Sequence, residues 1–111
     1  MKRITINING IQNAQKYLND FLTEMYDQKH KLLDVTCEGD NVQFSFAKGV
    51  QCRRERMVVR QFSKKKYSSA EEGFTHILET QFSNTESTVC NWKNILTIEQ
   101  QKYWLVFFKR E

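Results

Sequence analysis

Val50-Gln51-Cys52-Arg53-Arg54-Glu55-Arg56-Met57-Val58-Val59-Arg60-Gln61-Phe62 is the stretch on which the fold turns. It is rich in β-branched and long side chains and holds no glycine or proline, so it reads as one uninterrupted strand. Upstream, Leu33, Val35 and Cys37 alternate as far as the turn-forming cluster Glu38-Gly39-Asp40-Asn41. Val42, Phe44 and Phe46 then alternate again with Gln43 and Ser45 outward, the pattern of a hairpin. Ala47-Lys48-Gly49 makes a second turn, so residues 50–62 are expected as the third strand of an antiparallel meander.

Outward from this centre the periods change. Ile4, Ile6 and Ile8 alternate with Arg3, Thr5 and Asn7, which is a first strand with one face buried. Asn9 before Gly10-Ile11-Gln12 supplies a helix-start signal of the capping-box type. Ile11, Ala14, Leu18, Phe21, Leu22 and Met25 make the apolar stripe of a helix ending near Gln28, with Lys29, His30 and Lys31 at its C-terminal end. Ser69 followed by Glu72 opens a second, shorter helix with Ala70, Phe74, Ile77 and Leu78 as its stripe. Ser83-Asn84-Thr85-Glu86-Ser87-Thr88 reads as a surface loop. Residues 89–96 and 103–108 read as two last strands, although Thr97-Ile98-Glu99-Gln100 would equally cap a helix. The expected fold is α+β: one antiparallel sheet of five to six strands with two amphipathic helices on one face, in the order β-α-β-β-β-α-β-β.

With 111 residues, 40% of them hydrophobic and 27% charged, the chain suits a single domain over 1–111. No apolar run reaches the roughly 18–20 residues of a membrane span, and the first residues lack the apolar core of a secretory signal, so no membrane partner is expected and a cytoplasmic location is. No sequence repeat is visible. Cys37, Cys52 and Cys90 fit neither a paired disulfide framework nor the close pairs of a zinc site, and read as buried free thiols.

Charge is the one strong compositional feature. Between Cys52 and Lys66 stand Arg53, Arg54, Arg56, Arg60, Lys64, Lys65 and Lys66 against Glu55 alone, while the whole chain carries only +4 and the remainder is net negative. A strand period puts Arg54, Arg56 and Arg60 on one face with Cys52, Val58 and Phe62, a face too cationic for a core. The three lysines before the second helix are placed to meet phosphates, and Tyr67, Phe62 or Tyr103 would offer stacking surface to a single strand. Two other readings use the same residues: a solvated edge strand kept from associating by its cations, and a surface steered toward an acidic protein.

From 41 to 80, a strand meander, a basic run and then an amphipathic helix look like the arrangement in double-stranded RNA-binding domains and in AP2-type or integrase-arm DNA-binding modules. The resemblance implies phosphate contacts from Lys64, Lys65 and Lys66, and it covers about a third of the chain.

Signals for catalysis are thin. His30 and His76 are the only histidines, and no nucleophile motif accompanies them, although a spatial pairing of Cys90 or Cys52 with His76 is the form a thiol nucleophile would take. Neither Asp34, Glu38 and Asp40 nor Glu71, Glu72 and Glu79 has metal-ligand spacing, and no cofactor is implied. Tyr103-Trp104-Leu105-Val106-Phe107-Phe108 reads as a strand buried on both faces, and Trp92 as a core residue or, if exposed, an anchor for a partner.

The expected function is a small non-enzymatic module that holds nucleic-acid backbone through Arg53, Arg54, Arg56, Arg60, Lys64, Lys65, Lys66 and Tyr67. The rival is a stoichiometric protein inhibitor of the kind phages and plasmids carry against host nucleic-acid enzymes, anti-defence or anti-CRISPR-like. There the same arginines would dock on an acidic surface, helped by an exposed Trp92 or Trp104.

Overall fold

The computed structural model describes residues 1–80 and 92–110. The chain divides into two compact units, Met1–Arg56 and Met57–Glu111.

In the first unit, β1 (Lys2–Asn7), α1 (Ala14–Asp27), β2 (His30–Glu38) and β3 (Asn41–Lys48) form an antiparallel sheet in the order β1-β3-β2. Ile4 lies opposite Phe44 and Ile6 opposite Val42, so the alternation seen in both strands faces one way. Onto that face α1 lays Leu18 and Leu22, both buried, and Phe21, whose ring is 5.2 Å from Phe44 and 6.0 Å from Phe46. The helix begins later than its sequence signal. Asn13, not Asn9, is the cap, its side chain accepting from the Lys16 amide at 3.1 Å, while the Asn9 amide donates to the Asn7 side chain. At the far end Lys29 takes a left-handed backbone (φ 66°) to turn the chain into β2. A bulge between Leu32 and Asp34 puts Leu33 outside, 53% exposed, where simple alternation placed it inward.

In the second unit, β4 (Val58–Ser63), α2 (Ala70–Thr80), β5 (Trp92–Glu99) and β6 (Tyr103–Arg110) form another antiparallel sheet in the order β4-β6-β5. Phe62, Ile77, Val106 and Phe108 make its core under α2, with Phe74 5.0 Å from Phe108 ring to ring. Gly73 brings the helix onto β4: a Cβ there would lie 2.5 Å from Cγ of Phe62. Leu105, Val106, Phe107 and Phe108 are all fully buried, so β6 is covered on both faces.

The single five-to-six-stranded sheet is therefore corrected to two separate three-stranded sheets. The reason is that β3 is a central strand. With β1 on one side and β2 on the other, neither edge of it is open, so the next strand cannot extend a meander and instead founds a second sheet with β6. Nor are residues 50–62 one strand. Val50 is 69% exposed, Arg53–Glu55 form a turn of 3-10 helix (η1), and the paired strand begins only at Val58. The likeness of residues 41–80 to RNA- and DNA-binding modules falls with the meander, because β3 and β4 belong to different sheets.

The two units repeat one topology, strand for strand. The β1–β3 and β4–β6 registers superpose, with Lys2↔Phe46 corresponding to Val58↔Phe108 and Asn7↔Asn41 to Ser63↔Tyr103. The bulge in β2 recurs in β5 between Asn94 and Leu96. Ile8 N–H donates to the Asp40 carbonyl at 2.9 Å, and Lys64 N–H to the Lys102 carbonyl at 3.0 Å. Asn13 and Ser69 are equivalent caps, and His30 against Phe46 is matched by Trp92 against Phe108. Along this correspondence only Ala14/Ala70, Leu22/Leu78, Lys31/Lys93 and Phe46/Phe108 are identical, which is why no repeat is visible in the sequence.

The face of the first sheet away from α1 is polar, carrying Arg3, Thr5, Gln43 and Thr36, whereas the corresponding face of the second carries Val59, Leu105, Phe107 and Ile98, all buried. Cys37 and Cys52 are free thiols as expected, but exposed instead of buried. One lies near the end of an edge strand and the other at the entry to η1. Cys90, the loop expected at 83–88 and residues 89–91 of the expected strand lie outside the described residues. Among the described residues, no helix is long and apolar enough to cross a membrane.

Candidate functional site

The eight basic and aromatic residues singled out by sequence divide between the units. Arg53, Arg54 and Arg56 belong to the first, Arg60 to Tyr67 to the second.

In the first unit, Gln51 sets the position of the arginines. Its side chain is 6% exposed; Oε1 accepts from the Leu32 amide at the β2 bulge (2.8 Å), and Nε2 donates to the Glu55 carbonyl (3.1 Å). A buried amide thus clips η1 to the bulge and satisfies an N–H that the bulge takes out of the ladder. Arg53 and Arg54 stand exposed on that turn beside Glu55. Arg56 is half-buried, its guanidinium 5.1 Å above the ring of buried Tyr26, so its cation is engaged with an aromatic face.

In the second unit, Arg60 does not sit on an outer cationic face. It shares the α2-facing side of β4 with Phe62 and lies opposite Val106, half-buried, which corrects the expectation that this face is too cationic for a core. Both faces of β4 mix apolar and polar residues, and only pairing with β6 decides which one α2 covers.

The three lysines occupy a tight turn organised by Ser63. Its hydroxyl accepts from the Lys65 amide (3.1 Å), and its carbonyl accepts from the Lys66 (3.1 Å) and Tyr67 (3.0 Å) amides. The turn leads into α2 through Ser68, which donates to Glu72, and Ser69, whose hydroxyl caps the Glu72 amide at 3.1 Å. Tyr67 fixes its far end. The ring packs edge-on against Phe62 (5.6 Å, 86°), and the hydroxyl lies 2.9 Å from His76 Nδ1. His76 is thereby a partner of Tyr67. Lys64 is paired, its Nζ 2.7 Å from Glu99 and 5.3 Å above the ring of Trp104.

Lys65 and Lys66 are exposed, and so is Lys102, which sequence reading passed over. Lys102 lies in the β5–β6 turn, and its carbonyl accepts from the Lys64 amide, so the backbones of the two turns meet at one end of the sheet. Antiparallel pairing of β4 with β6 is the cause: the residue after one strand must neighbour the residue before the other. Among the described residues, none of these three ammonium groups meets a carboxylate within ion-pair distance. Lys66 Nζ lies 5.5 Å above the Tyr67 ring.

Neither tryptophan is a free anchor. Both are partly buried against the second unit's core, Trp92 beneath the Arg110 guanidinium (5.0 Å) and Trp104 beneath Lys64. Among the described residues, no group of His, Cys, Asp and Glu is placed to hold a metal ion. The chemistry on offer at this end is that of hydrogen-bonding cations. No family model, curated protein or solved structure matches the chain.

Proposed function

We propose that the chain is a small cytoplasmic, non-enzymatic nucleic-acid-binding module that contacts phosphate backbone through Lys65, Lys66 and Lys102. What carries the reading is that these three exposed ammonium groups lack an acidic partner among the described residues, on two turns tied together by the Lys64–Lys102 backbone bond. Lys64 supports the turn through Glu99 and Trp104. Arg53 and Arg54 are a second exposed pair, in the first unit. Arg56 and Arg60 have packing roles, so their removal lowers stability before affinity.

Three phosphate contacts on a duplex give a slope of about −2.7 in log affinity against log salt, or about 40-fold weaker binding between about 50 and 200 mM. The test is fluorescence polarisation with short labelled DNA and RNA. The variant K65A/K66A/K102A should bind all sequences more weakly and flatten the slope by about 2.7. An unchanged affinity would sink the proposal. Failure of every polymer to bind at low salt, together with salt-sensitive binding to an acidic nucleic-acid enzyme, would transfer the lysines to the protein-inhibitor reading.

A further inference from the structure

The first unit gathers cations of its own from separate stretches of the chain. His30 stands opposite Lys48 where β2 begins and β3 finishes, and the Gly49 amide donates to the Lys29 carbonyl at 2.9 Å. The stem of Lys31 runs beside Gly49: a Cβ on that glycine would lie 3.8 Å from Cβ and 3.9 Å from Cδ of the lysine. Gln51 ties η1 to the Leu32 amide, which brings Arg53 and Arg54 to the same end of the sheet. Lys29, Lys31, Lys48, Arg53 and Arg54 are all exposed, and among the described residues none meets a carboxylate within ion-pair distance. Asp27, Asp34 and Glu55, the acids nearest to them in sequence, are exposed too, so the cations prevail five to three.

Lysines on an edge strand keep sheets from associating. That accounts for Lys31 on β2, but Lys48 stands on the central strand and Arg53 and Arg54 on a turn, where there is no edge to guard. Like charges gathered at one end repel one another, and a polyanion relieves that repulsion while releasing its own counterions. Resting on the proposed backbone contact, we infer that this end of the first unit is a second phosphate-backbone surface, so that each unit of the chain holds nucleic acid by its own cations. Five phosphate contacts on a duplex correspond to a slope of about −4.5 in log affinity against log salt, or about 500-fold weaker binding between about 50 and 200 mM.

The experiment follows the polarisation of a labelled duplex, DNA or RNA according to which the parent binds more tightly, over several salt concentrations. The parent is compared with K65A/K66A/K102A and with K29G/K31M/K48M/R53A/R54A. Glycine suits the left-handed backbone at position 29, and methionine keeps the side-chain stems at 31 and 48. The expected result is that K65A/K66A/K102A still binds at low salt with a slope of about −4.5, and that the five-fold variant flattens the parent's slope by about 4.5. K31M/K48M and R53A/R54A should each flatten it by about 1.8, which keeps the test independent of whether the five-fold variant folds. An unchanged slope in both partial variants, or complete loss of binding in K65A/K66A/K102A, would overturn the first-unit surface while leaving the lysine turn standing. Absence of binding by the parent at low salt would overturn the backbone contact itself, and this surface with it.

Discussion

Replacing Gly73 with alanine puts a methyl group where the second unit has no room. The new Cβ would lie 2.5 Å from Cγ, 2.7 Å from Cδ1 and 3.0 Å from Cβ of Phe62, against an ordinary contact of 3.4–4 Å. These atoms are next to the β4 backbone, and Phe62 is 3% exposed, so the ring cannot swing clear. The helix must move off the strand by about 1 Å, a gap that forfeits up to about half of each contact it opens. Phe74 and Ile77 ride on the same helix and lose contact with Val106 and Phe108 at the same time. Overpacking of this kind costs about 2–3 kcal/mol. Alanine recovers about 1 kcal/mol of helix propensity, leaving a net loss of about 1–2 kcal/mol.

Urea denaturation followed by tryptophan emission is the assay, because Trp92 and Trp104 both pack on that core and report the second unit. The control is Thr75, exposed on the same helix, where T75A should be more stable than T75G by about 1 kcal/mol. The sign should reverse at position 73. Should G73A prove as stable as the parent, the close approach of α2 to β4 is wrong, and with it the placement of the turn that α2 anchors.

Three further outcomes are expected. Q51L leaves the Leu32 amide and the Glu55 carbonyl without their partner; it should cost the first unit about 1–3 kcal/mol and speed hydrogen exchange at Leu32 more than at Leu22. K29G relieves a left-handed backbone at the end of α1 and should raise the stability of the first unit by up to about 1 kcal/mol, read as slower exchange of the α1 amides. A loss on K29G would mean that the lysine side chain matters more than its backbone. Y67F removes the hydroxyl held by His76 while keeping the ring on Phe62; it should cost no more than about 1 kcal/mol and quicken exchange of the Lys66 and Tyr67 amides, and unchanged exchange would show that Ser63 alone holds the turn.

Whatever local period can encode was readable along the chain. The alternation of Ile4 with Ile6 and of Val42, Phe44 and Phe46, the stripe of Leu18, Leu22 and Met25, and the Ser69 cap each arise from residues a few positions apart. Elements and their order were therefore legible. So was the concentration of cations between Cys52 and Lys66. Membership of a sheet was not, because it depends on which edges are already taken. β1 and β2 flank β3, and that pairing across some forty residues keeps β4 from pairing with β3; β4 pairs with β6 in a second sheet. The break at Arg53–Glu55 was equally hidden, since it is secured by Gln51 reaching a bulge nineteen positions upstream.

Tertiary structure also sorted the cations. Arg60 faces α2 because its strand pairs with β6, Arg56 rests on Tyr26, and Lys64 is claimed by Glu99. Lys102 joined Lys65 and Lys66 through the same β4–β6 pairing, far from them in the chain. A charge count reports how many ammonium and guanidinium groups exist. Which of them remain exposed and unpaired is decided by long-range contacts, because burial and ion pairing are properties of neighbours in space.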